Sequence, residues 1–144
     1  MQDQAIKFVV FDWYWTAERV RNEHALAAYF QAKNNELIQF SILWANHEAA
    51  PKTEDDFISM VRYWTRYYFR HKQYQRIDDR PVVHIFSPAN LDQKAKLFGS
   101  TAGELIGRAN AVAQEHGFPG IYFVGELPLR HLRSASHRRT SIKR

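Results

Sequence analysis

Asp12-Trp13-Tyr14-Trp15 sets one carboxylate among three rings. That mixture suits a pyranose, because rings stack on apolar sugar faces while an acidic oxygen accepts hydroxyl hydrogen bonds. Rings on a buried strand also fill cores, so two roles compete at these positions. A second group, Trp44-Ala45-Asn46-His47-Glu48, places an amide, an imidazole and a carboxylate in succession after a tryptophan. His47 could donate to a hydroxyl or move a proton, its ordinary pKa of about 6.5 being suitable. Asn46 and His47 could equally be plain loop residues, and Glu48 could simply face solvent ahead of a helix. Glu126 offers a further carboxyl, and glycosyl chemistry commonly uses two, roughly 5 Å apart when retaining or about 6.5–9.5 Å when inverting. His47 and Glu126 are therefore the candidate catalytic groups. Asp12, Trp13, Tyr14, Trp15, Trp44, Asn46 and His47 are the candidate binding residues.

Other chemistries find no footing. The chain has no cysteine, which removes disulfides, thiolate metal sites and cysteine nucleophiles and fits a reducing compartment. Its seven histidines form neither an HExxH motif nor a helical pair, and His84, inside a strand, reads as a hydrogen-bonded core residue. No phosphate-binding glycine loop or nucleophile elbow is present. No metal and no cofactor is expected.

The elements that must carry these residues follow from apolar patterning. Residues 6–15 (IKFVVFDWYW) form a continuous apolar and aromatic run, the pattern of a strand buried on both faces. Helical spacing follows over about residues 22–33, with Asn34-Asn35 as a stop, and residues 38–46 repeat the strand pattern. Thr53 is placed to cap a helix, with Asp56 at the capping-box position and Phe57, Met60, Val61, Trp64, Tyr67 and Tyr68 on one face. Residues 71–80 read as a loop and 81–87 (PVVHIFS) as a third strand. A Pro-Ala-Asn turn, a short helix near residues 91–98 and a longer one over about 102–116 lead to a fourth strand at 121–124. Strand and helix alternate as in parallel βαβ units, and ligands of such sheets bind at the carboxyl ends of the strands, where both candidate groups fall.

With those residues in view, the chain resembles the glycoside-hydrolase-99-like, or WbsX-like, family over about residues 6–126. The likeness rests on FDWYW at 11–15, FSILWANH at 40–47, a tyrosine-rich helix followed by Arg-Pro-Val-Val within 54–88, and GFPGIYFVGE at 117–126. The resemblance implies a (β/α)₈ barrel acting on oligosaccharide or polysaccharide, by hydrolysis or glycosyl transfer, with Asp12, Trp13, Tyr14, Trp44, Asn46 and His47 lining the sugar pocket. The WbsX branch often carries Glu where His47 stands, a further aromatic where Glu48-Ala49-Ala50 stands, and Gly where Arg80 precedes Pro81. The expected fold is α/β, a partial TIM-barrel-like arrangement of about four parallel βα units, since 144 residues fall short of the roughly 250 of a closed barrel. The later catalytic carboxylates of related enzymes would then be missing, and the change of character at Leu127 looks like a truncated or frame-shifted gene.

Charge divides the chain. Residues 130–144 hold six basic residues and no acidic one, so the net +5 of the whole becomes −1 over residues 1–129. The expectation is a domain over 1–129 and a disordered basic tail over 130–144. No nucleic-acid partner is expected for the domain itself; one would have to use that tail. No run approaches the roughly 18 apolar residues of a membrane span, and residues 1–6 lack signal-peptide character, so a cytoplasmic protein is expected. Besides the glycan enzyme, a glycan-binding half-barrel that self-associates through its open sheet edges is the competing reading.

Overall fold

The computed structural model describes residues 6–16, 19–21 and 23–125. Its elements are β1 (Phe8–Thr16), β2 (Arg19–Arg21), α1 (His24–Gln31), β3 (Gln39–Trp44), α2 (Glu54–Tyr67), β4 (Arg76–Ile77), β5 (Arg80–Ile85), α3 (Pro88–Leu97), α4 (Ala102–Glu115) and β6 (Tyr122–Gly125). The expected tail at 130–144 and Glu126 lie outside the described residues.

Strands β1, β3, β5 and β6 run parallel and lie side by side in chain order. Right-handed crossovers between strands that always advance in one direction put the connecting helices on one face. Burial agrees. Trp13, Trp15, Phe40, Ile42, Trp44, Val83 and Ile85 point to that face and share a single core with Leu26 of α1, Trp64 of α2, Leu91 of α3 and Leu105 of α4. The alternate residues point the other way, and Phe8, Val10 and Asp12 are exposed there. The fold is thus α/β, a partial series of βα repeats. No helix among the described residues is long and apolar enough to cross a membrane.

Helix ends follow their sequence signals. Thr53 accepts from the Asp56 amide, and Thr101 and Glu104 form a reciprocal capping box at α4. The Pro-Ala-Asn turn is instead the first turn of α3: Ser87 caps it and Pro88, which needs no N–H partner, occupies its start.

The expected loop at 71–80 contains strand pairing. Phe40 pairs with residues 73–75: its amide donates to Gln73 O at 2.9 Å and its carbonyl accepts from Gln75 N at 2.7 Å, while Gln75 O in turn accepts from Val82 N of β5 at 3.0 Å. Then β4 turns back antiparallel on β5 through Asp78 and Asp79, both at positive φ (51° and 61°), as a two-residue hairpin requires. This is how Arg80 is accommodated ahead of Pro81.

His71 sits beside that turn, its ring against Phe30 and Phe40 at 5.0 and 5.3 Å, while Nδ1 accepts from the Gln73 amide at 3.2 Å. Burial pulls its pKa below 6.5, so the unfolded chain takes up a proton before the folded one. Stability should accordingly be level above pH 6.5 and fall as pH drops from there through the lowered folded value. Urea unfolding at pH 7.5 and 5.5 tests this, with His71→Phe expected to remove most of the slope in that window; an unchanged slope would refute the assignment.

Candidate functional site

The carboxyl ends of β1, β3 and β5 form one rim. Asn46, just past β3, is 1% exposed: its Nδ2 donates to Ser87 O at 2.7 Å and its Oδ1 accepts from Ser87 N at 2.9 Å. Both ends of the amide are therefore occupied in clasping β3 to β5, and Asn46 positions the rim instead of presenting itself to a ligand.

The clasp holds His47 outward at the rim. Its ring meets Tyr14 at 6.1 Å and Phe86 at 5.1 Å, both edge-on, and its Nε2 lies 4.0 Å from Glu48 Oε1. One step down the sheet, register aligns Asp12 with Leu43, Leu43 with His84, and His84 with Val124. Asp12 and His84 thus share one row of the helix-free face, two strand spacings or about 9–10 Å apart between backbones. Gly125 closes the end of β6 against α3, where a Cβ would meet Pro88 Cγ at 2.8 Å.

Beside His47 a cavity of about 330 Å³ opens between the β3 rim and α3, lined by Asn46, His47, Glu48, Asn90, Lys94 and Leu97 among others. Lys94 is 8% exposed, and its Nζ donates to the carbonyls of Glu48 and Ala49 at 2.7 and 3.1 Å. Burial lowers its pKa, opposed by the charges of Asp56 and Glu48. The ammonium fixes the backbone of the loop that carries His47. Its position three residues after buried Leu91 and one before buried Ala95 puts it on the inner face of α3, a signal available in the sequence.

Asp12, Tyr14 and His47 are therefore brought to one rim, joined by Phe86 and Lys94, which residue types had not singled out, and by His84, read from the sequence as a core histidine and half-buried on the helix-free face. Trp13, Trp15 and Trp44 are not. They lie on the opposite, helix-covered face at 1%, 3% and 1% exposure. The Trp13 indole donates to Tyr68 Oη at 2.8 Å, and Tyr68 in turn donates to Glu23. Burial and that carboxylate hold the Tyr68 phenol protonated, well above the usual tyrosine range. Trp15 donates to Asp56 Oδ1 at 2.8 Å and stacks on Trp13 at 5.8 Å. Strand alternation turns every second residue of Asp12-Trp13-Tyr14-Trp15 away from the rim, so these three tryptophans are corrected from pocket to core.

Among the described residues no three His, Asp or Glu side chains are grouped to hold a metal ion. No protein-family model, no curated protein and no solved structure matches the chain.

Proposed function

We infer that the chain is the glycan-recognising part of a glycoside-hydrolase-99-like or WbsX-like carbohydrate enzyme, folded as the first half of a (β/α)₈ barrel. The observation that carries this reading is the rim itself, where Tyr14, His47 and Phe86 gather their rings above the exposed carboxylate of Asp12. Rings and an acceptor on one edge suit a sugar's apolar face and hydroxyl rim. Chain-order parallel strands, helices on one side and a cleft at the carboxyl ends also suit a segment of such a barrel. His47 and Glu126, the residue that follows Gly125, are the groups proposed for proton transfer in hydrolysis or glycosyl transfer. A cysteine-free chain suits a cytoplasmic setting.

The test is saturation-transfer NMR on a panel of neutral and acidic oligosaccharides. Asp12 and His47 are exposed, so Asp12→Ala and His47→Ala should change stability by no more than about 0.5 kcal/mol. Each should weaken sugar binding about tenfold, the loss of one good hydrogen bond or ring contact. Absence of binding to the whole panel, or binding untouched in both variants, would sink the reading.

A further inference from the structure

Parallel sheets are almost always covered on both faces, because each strand is apolar on both. Here the helices of the described residues cover one face only. The other carries Phe8 (44% exposed), Val10 (37%) and Phe86 (46%), with Leu43 and Val124 half-buried between them. Ser41 and Val82 on this face are already buried, and Asp12 and His84 cross it at one level, so the uncovered apolar surface consists chiefly of Phe8, Val10 and Phe86.

Both edges of the same sheet are also open. Among the described residues β6 pairs only with β5, and β2 occupies the outer edge of β1 only at Tyr14–Thr16, leaving residues 8–13 unpaired on that side. Unpaired parallel edges are templates for further strands.

We propose that a second copy of this chain covers the helix-free face, β6 of each copy pairing in parallel with residues 8–13 of the other, so that two four-stranded sheets close a two-fold symmetric eight-stranded barrel. The strand count carries the choice of partner. Eight is the number at which a parallel βα sheet closes with its interior filled by side chains, and the described residues supply four parallel strands, with a first and a last edge that are open among those residues and match each other. A two-fold axis satisfies both junctions at once. Closure buries Val10 and Phe8 inside and sets Asp12, His84, Tyr14 and His47 of one copy across an enclosed mouth from those of its partner. The rim is then half of a site that the second copy completes. The inference needs only the strand order and the uncovered face, and stands apart from the glycan reading.

Sedimentation of the 144-residue chain at micromolar concentration is expected to give twice 17.0 kDa. Val10→Arg and Phe8→Asp, at exposed positions, should leave the far-UV circular dichroism intact and raise the dimer dissociation constant about 100-fold, since each strands a charge in an apolar interface. Leu97→Glu, at an 83% exposed helix position, should leave the dimer as it was. Hydrogen exchange of the unsubstituted chain provides a readout free of folding defects: the β6 amides should become more protected as concentration rises. A folded monomer at these concentrations, an open series of oligomers, a dimer indifferent to both substitutions, or β6 exchange independent of concentration would each overturn the proposal.

Discussion

Replacing Trp13 with alanine is expected to lower the unfolding free energy by about 3–5 kcal/mol, the usual cost of emptying a large aromatic site in a packed core. The size of the effect follows from where the ring lies. It contacts Trp15, Tyr63, Trp64 and Tyr68, the last two edge-on at 5.5 and 6.3 Å, so its removal leaves a cavity lined by β1 itself and by α2 with its C-cap, which no one neighbour can fill alone. Trp13→Phe should cost less, about 1–2 kcal/mol, because it keeps most of the packing and gives up the indole bond to Tyr68. Urea unfolding followed by circular dichroism measures both. The same two variants decide between core and pocket. If Trp13→Ala stays within about 1 kcal/mol of the parent yet loses oligosaccharide binding, the ring serves a ligand, and its burial against Tyr68 is not the working state.

That choice could not be made from residue types, and the reason is specific. Residues 6–15 are apolar or aromatic at nearly every position, which marks a strand clearly but erases the alternation that would tell its two faces apart. The strand was legible; the parity of Asp12, Trp13, Tyr14 and Trp15 was not, and parity decides which of them can touch a ligand. Asn46 shows a different limit. Its chemistry suits a sugar hydroxyl as well as a backbone, and only the nearness of Ser87, 41 residues later, turns it into a clasp. The third strand and the caps at Thr53 and Thr101 follow from local signals that distant contacts do not override. β4 is two residues long, and the segment just ahead of it is held by Phe40 of β3, a long-range pairing that no window of sequence displays.

Lys94→Met is expected to have the largest effect on the rim, destabilising the chain by about 2–4 kcal/mol and weakening any ligand bound beside His47 by tenfold or more. Methionine nearly matches the lysine in length and volume, so packing on α3 is retained and the change isolates the ammonium. What is lost is the donor to two carbonyls, Glu48 O and Ala49 O, which lie in the turn between β3 and α2 and become unsatisfied unless water reaches them. Water entry would loosen the turn that carries His47 and Glu48, while the Asn46 clasp to Ser87 still tethers its first residue. The rim should therefore lose order locally, not the whole sheet. Amide exchange should rise over residues 47–50 and stay unchanged over β5. Lys94→Arg, which keeps the charge but cannot seat its planar fork in a site shaped for an ammonium, should recover only part of the stability. Full stability in Lys94→Met, with exchange over 47–50 as in the parent, would show that the two carbonyls do not depend on this side chain.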